Sequence, residues 1–475
     1  MKYKLITVFL FTMVSLTAQN EINWQNAAAV SASHFGNSHP RITCSEKGEA
    51  YMVWGRSSDQ SVQFAYWNGS VFSTPVKVNV TNSASASWMG PDMASRNDTI
   101  YIVHKSVPED DPNSHMYLIR SFDGGRNFSK PVQIESIGTD ISRFPTVAID
   151  KFGQPIVAYM RFNSKFLESR WVITSSTDYG ITFQPAVLAS GWGKSEEVCD
   201  CCPGSLTCVD GTCALFYRDN NNNIRDSWVS ISRDNGKSFS SGFNVDNNNW
   251  NIFTCPASGP DGIILDDNIY STFMNGKNSL SRNYLSRSSL SNDKFVDKID
   301  LSANINNLRI QNFPRIAGYG KSLAVVGTQS VVANKVEIPM WFTNNYENGI
   351  NTKYQLVDEF NISNCDITMN KNSIFVVWQD DNTRTVNFRS GSYNPTSLLD
   401  EKSNKLPVVY NTINSWLIES DFLTTLEIVD IHGRTIKTFD NIQNNNVEIS
   451  KQDVAPGMHI AKIKTTSKTF YIKLL

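Results

Sequence analysis

Two groups of residues in this sequence have the types and spacing to do chemistry. The first is a set of charges. Arg41, Asp92, Arg315 and Asp366 stand at the same place in a repeated segment, directly after a Pro or Cys that leads into an apolar strand. If the repeats close into a ring, they read Arg315, Asp366, Arg41, Asp92, an alternating arc facing the small residues Gly204 and Ala257. Two neighbouring guanidiniums can grip a carboxylate through paired N–H donors. An ion-pair network lining a solvated channel is the alternative. Arg56, Arg161 and Arg218, near Trp54, Tyr159 and Tyr217 at the ends of second strands, add cations beside aromatic rings. That combination suits an anionic sugar; plain solvated strand ends are the other reading.

The second group is sulfur. Five of the eight cysteines fall within fifteen residues: Cys199, Cys201, Cys202, Cys208 and Cys213. Cys208 ends one strand and Cys213 begins the next, so the two face each other across a hairpin and suit a disulfide. Cys199, Cys201 and Cys202 lie in the loop before that hairpin, and Cys255 holds the aligned place in the next repeat. Two accounts are open for these four. One is disulfides, with Cys201 or Cys202 reaching Cys255. The other is a thiolate site for Cu or Zn formed by all four. A redox-active pair is a further option.

The elements that position these residues repeat. A Pro or Cys, a short apolar strand, a turn and a second strand begin at Pro40, Pro91, Pro145, Pro203, Pro256, Pro314 and Cys365, at intervals of 51 to 58 residues. Alternating and continuous apolar runs bounded by polar turns read as β-hairpins. Ser121–Phe128, Ser176–Phe183 and Ser232–Phe239 share the pattern S-x-D-x-G-x-x-F, spaced by 55 and 56 residues. Its Asp (Asp123, Asp178, Asp234) can accept backbone N–H groups across a turn, and its Gly supplies a conformation other residues resist.

This motif resembles the Asp box of the sialidase (BNR) superfamily. The resemblance implies an all-β fold, an Asp-box β-propeller spanning 22–398. Seven units favour seven blades, with six as the alternative. It also implies that the boxes lie on the face away from the ligand. Sialidases hold the substrate carboxylate with arginines, and the nearest strings here are His39-Pro40-Arg41-Ile42 and Phe313-Pro314-Arg315-Ile316. The resemblance therefore nominates Arg41 and Arg315 as carboxylate binders and Asp92 as an acid/base. The Pro stands before the Arg, whereas the family's F-R-I-P motif has it after the Ile.

The last stretch, 399–475, carries no Asp box and reads as short strands of a small β-sandwich. Its strand–Gly433-Arg434–strand hairpin, Pro456-Gly457 and terminal Lys473 resemble the C-terminal sorting domain of the type IX secretion system. That resemblance implies the secretion machinery as a partner. Residues 1–18, with Lys2 and Lys4 before an apolar run from Leu5 to Leu16, read as a secretory signal. A secreted or cell-surface protein is expected, without a membrane span in the mature chain. The formal net charge of −2 and the lack of a basic run speak against nucleic acid. Three functions follow as expectations: a glycan-cleaving enzyme of exo-α-sialidase type, a non-catalytic propeller binding a glycan or glycoprotein, and a metal- or redox-linked exported protein built on the Cys199–Cys202 loop.

Overall fold

Alternating side chains and polar turns make this chain a succession of antiparallel hairpins. The computed structural model describes residues 22–395 apart from 46–47, 194, 240, 279 and 293. It also describes 407–474 apart from 412–413, 421–422, 431–433, 441, 443–445, 455–456 and 466–468. The expected secretory signal, Gly433 and Pro456 lie outside the described residues.

Seven antiparallel sheets run from 23 to 392. The first is Asn37–Cys44, Ala50–Arg56, Ser61–Tyr66 and Val76–Lys77. The inner strands of the others are Asp92–Arg96, Ile141–Ile149, Ser205–Val209, Asp261–Leu265, Ile310–Tyr319 and Ile362–Met369. Each inner strand packs beside the next, and the seventh returns to the first. This is a seven-bladed β-propeller. Asn23–Trp24 and Ala28–Ala29 pair with Thr385–Ser392 at the outside of the last blade. The two ends of the propeller are thus tied by main-chain hydrogen bonds such as Val30 N to Val386 O at 2.8 Å.

Second strands carry the core between blades. Trp54, Tyr159, Tyr217, Phe273 and Trp378 are all buried, and His104 takes the same place in the second blade. The Asp boxes sit in the turns after third strands and clamp neighbouring blades together. Asp123 Oδ1 accepts from Arg126 N and Asn127 N at 3.0 and 2.9 Å, and Gly125 N donates to Ser121 Oγ at 2.9 Å. Those N–H groups and the Asn127 side chain hold the Asp123 carboxyl low, at about 2. Gly125 has φ +80°, and a Cβ there would stand 2.3 Å from the Phe64 ring of the preceding blade. Phe128 meets that ring edge-on at 4.9 Å. The box's Gly and Phe together grip the previous blade.

Residues 397–475 form a separate unit. It has a three-stranded sheet of Val408–Asn411, Ser415–Glu419 and Asn446–Ser450. A second sheet holds Leu423–Val429, Thr435–Asp440, His459–Thr465 and Thr469–Leu474. Trp416, Ile418, Leu426, Ile428 and Ile463 fill the core of this small sandwich. Among the described residues no helix is long and apolar enough to cross a membrane.

Candidate functional site at the propeller axis

The inner strands bring seven residues to the axis at one level. Register pairs them with their second strands as Arg41↔Val53, Asp92↔Val103, Thr146↔Ala158, Ser205↔Phe216, Asp261↔Thr272, Arg315↔Val326 and Asp366↔Val377. Two ring positions differ from the sequence expectation. Ser205 replaces Gly204, and Asp261 replaces Ala257, because the fifth inner strand starts after Pro260 and not after Pro256. The charged arc is therefore five residues long: Asp261, Arg315, Asp366, Arg41, Asp92.

Arg315 is already occupied. Its Nε stands 2.8 Å from Asp366 Oδ1 and 3.4 Å from Asp261 Oδ2. Burial opposes its charge, but the two carboxylates outweigh burial and raise its pKa. The aspartates also clip adjacent blades. Asp92 Oδ2 accepts from Val147 N at 3.2 Å, Asp261 Oδ2 from Ile316 N at 2.9 Å and Asp366 Oδ2 from Ile42 N at 3.0 Å. Each reaches the inner strand of the following blade. These three carboxylates act as fasteners, and the two-arginine grip expected for a ligand carboxylate is reduced to Arg41.

Arg41 has no ion pair among the described residues. Its guanidinium donates to Pro40 O at 2.9 Å and to His39 Nε2 at 2.6 Å. A guanidinium has no acceptor, so His39 Nε2 must supply a lone pair and the ring is neutral. Burial first, and then the charges of Arg41 and Arg315, hold His39 well below its usual pKa.

Above this ring the backbone is strained. His39, Phe144, Phe313 and Asn364 have φ of 57°, 54°, 47° and 48°. Each sits in a β-bulge, where the register slips just before the ring residue. After His39, Phe144 and Phe313 the following Pro has no N–H to leave unpaired, which makes the x-Pro step a natural bulge site, and Cys365 follows Asn364 at the fourth. Left-handed conformations cost energy for side chains as large as Phe, and such strain collects at functional positions. All four side chains line a mouth cavity of about 70 Å³, rimmed by Trp88, which is 44% exposed. Past the ring the channel widens to about 460 Å³ toward the opposite face, lined there by Asp150, Lys151 and Asp210.

The strand-end arginines separate. Arg56 pairs with Asp59 at 2.5 Å and Arg161 with Asp140 at 2.6 Å, both near the surface. Arg218 is fully buried. Its N–H groups donate to Ser258 O, Arg225 O and Met274 O, and it lies over the Trp250 ring at 5.3 Å. The expectation that Arg218 meets a sugar fails on this burial. Arg218 follows Tyr217 directly, whereas Arg56 and Arg161 come two residues after Trp54 and Tyr159. In a strand, that single step sends a side chain to the other face of the blade.

The cysteines are divided. Cys208 and Cys213 are paired strand partners joined by a disulfide. Cys201 is bonded to Cys255, linking the loops that lead into the fourth and fifth blades. This corrects the four-thiolate set, since two of its sulfurs are in a disulfide. Cys199 and Cys202 are free and buried. Cys199 Sγ lies 3.4 Å from both Cys201 Sγ and Cys202 Sγ, so three sulfurs still cluster. The Cys202 hydrogen bond, then Arg225 and Arg218, hold the Cys199 thiol below its ordinary pKa, while burial raises that of Cys202.

No protein-family model and no curated protein matches this chain. Solved structures match its fold. A polysaccharide lyase described as an ulvan lyase bound to -[GlcA(1-4)Rha3S]- aligns with TM-score 0.50 and 10% identity over 75% of this chain and 94% of its own. The phage phi92 endosialidase aligns with TM-score 0.47 and 11% identity over 95% and 87%. A Hadza microbial sialidase aligns with TM-score 0.44 and 11% identity over 77% and 68%. The chain shares its β-propeller fold with the lyase. At such identities the likeness is one of architecture, and function has to be argued from the residues at the mouth.

Proposed function

We propose that this protein recognises the acidic end of a glycan at the mouth of the propeller. The observation that carries this reading is Arg41, a half-buried guanidinium with no carboxylate in ion-pair reach among the described residues, at the floor of a cavity whose walls are held in strained conformations. A cavity of about 70 Å³ admits a carboxylate or sulfate group but not a pyranose ring. The ring would then rest on the rim, where Trp88 offers an apolar face. The solved structures that share the fold include proteins described as sialidases and a polysaccharide lyase, which supports a glycan as the ligand class.

The specific enzymatic form of this reading is exo-α-sialidase-type hydrolysis, with Asp92 as the acid/base and Arg41 as the carboxylate binder. The non-catalytic form is binding alone. Purified protein is to be titrated with sialosides and uronate-containing oligosaccharides beside Arg41→Met and Trp88→Ala. Saturable binding of acidic glycans, lost in Arg41→Met with the fold intact, supports the reading. Release of the fluorophore from a fluorogenic α-sialoside then separates catalysis from binding. A folded protein that binds no acidic glycan sinks both forms.

Two disulfides, the apolar segment at 1–18 and the tail resembling a type IX sorting domain support a place outside the cell. The mass of the exported chain tests this: loss of the N-terminal segment 1–18 is expected.

A further inference from the structure

The loop that leads to Pro203 and Gly204 at the mouth carries a sulfur cluster that glycan recognition does not use. Cys199, Asp200, Cys201 and Cys202 form one tight turn, with Cys202 N 3.4 Å from Cys199 O. Cys199 and Cys202 thus have C-x-x-C spacing, and their Sγ atoms stand 3.4 Å apart. The residue between them, Cys201, is one half of a disulfide whose sulfur is also 3.4 Å from Cys199 Sγ. Arg225 Nη1 lies 3.2 Å from Cys199 Sγ and 3.9 Å from Cys201 Sγ. A guanidinium at that place stabilises a thiolate, whichever of the two sulfurs carries the charge.

The remaining sulfurs lack such surroundings. Cys208–Cys213 fastens one hairpin with no thiol beside it. Cys44 and Cys365 are lone thiols pushed up by burial to about 11 and about 12. Only one cluster sets a dithiol against a disulfide.

We propose that the Cys199/Cys202 dithiol exchanges with the Cys201–Cys255 disulfide, making this loop a redox-active centre that reacts with external thiols and disulfides through Cys255. The exchange takes two displacements. The Cys199 thiolate attacks Cys201 Sγ; a Cys199–Cys201 bond forms, and Cys255 leaves as a thiolate. The Cys202 thiolate then attacks Cys199 Sγ; the Cys199–Cys202 bond forms, and Cys201 leaves as a thiolate beside Arg225. The Cys202 proton passes to a departing thiolate. Two electrons move from the inner pair to the outer pair, with no outside oxidant or reductant. Cys199 and Cys202 are buried and Cys255 is exposed, so contact with solvent thiols runs through Cys255. An external thiolate attacking Cys255 Sγ displaces Cys201, whose leaving charge Arg225 again receives.

The test uses full-length protein equilibrated in glutathione buffers of graded ratio, quenched in acid, denatured, labelled with N-ethylmaleimide and mapped by mass spectrometry. At the stage with one disulfide in the cluster, both isomers are expected: Cys201–Cys255 with labels on Cys199 and Cys202, and Cys199–Cys202 with labels on Cys201 and Cys255. Cys199→Ser is expected to leave Cys201–Cys255 alone. A wild-type map showing only Cys201–Cys255 across the whole series overturns the proposal. So does one tightly bound metal ion per chain with all four thiols reduced, which would make the cluster a thiolate metal site instead. Melting of Cys199→Ser alongside wild type separates lost exchange from lost folding, and the wild-type result needs no variant.

Discussion

Replacing Arg315 by Met isolates the electrostatics of the axial ring. Met keeps much of the side-chain length and apolar stem but removes the cation. Asp261 and Asp366 would lose the partner that now stands 3.4 and 2.8 Å away, with side chains only 8% and 6% exposed. Breaking a buried ion pair by deleting one partner costs about 3–5 kcal/mol, because the other charge stays buried and unpaired. At roughly 2 °C per kcal/mol for a protein this large, melting should fall by about 5–10 °C at pH 7. The pH dependence gives a second check. Burial already raises the Asp261 carboxyl in the folded state, and removing the Arg315 charge that opposes this raises it further. Stability is then lost as pH rises above its unfolded value, and the deficit of the variant should shrink as pH is lowered toward 4. Paired thermal melts of wild type and Arg315→Met at pH 7 and pH 4.5, with Arg315→Met/Asp261→Asn as partial rescue, measure this. A deficit under about 1 kcal/mol at pH 7, or one that grows on acidification, would refute the view of Arg315 as a structural cation.

Trp88→Ala should leave melting nearly unchanged, since the ring is 44% exposed, but weaken glycan binding about tenfold or more in titration calorimetry. Gly125→Ala should destabilise by at least about 2 kcal/mol in denaturant melts, because a Cβ would meet Phe64 at 2.3 Å and φ is +80°. Burial pushes His104 down to about 4. Its contribution is whole above the ordinary histidine pKa near 6.5 and is lost as pH falls from there toward 4. His104→Phe should therefore gain on wild type by about 3 kcal/mol between pH 7 and pH 4 in matched melts. Arg218→Ala should cost more stability than Arg161→Ala, since buried Arg218 serves three backbone carbonyls and half-exposed Arg161 serves one surface carboxylate.

The sequence by itself determined the blades. Local patterns carry that information: period-two apolar runs, x-Pro steps at the first six inner strands, and Asp boxes whose Gly and Phe have one conformational use. These are short-range demands of backbone and turn, so they survive in a linear reading. The mouth ring was legible where the Pro, or in the seventh unit Cys365, stood directly before the ring residue, as at Arg41, Asp92, Arg315 and Asp366. In the fifth unit two prolines compete, and Pro260, not Pro256, precedes the ring residue. Asp261 was missed for that reason, and with it the second partner of Arg315. Only the tertiary structure could show that Arg315 is consumed by carboxylates from the blades on either side. Charge pairing there depends on residues some fifty positions away meeting at one axis. The cysteines divide in the same way. Cys208 and Cys213 were readable as hairpin partners because strand register is local. The Cys201–Cys255 bond, and the 3.4 Å approach of Cys199 to it, required two blades to pack side by side.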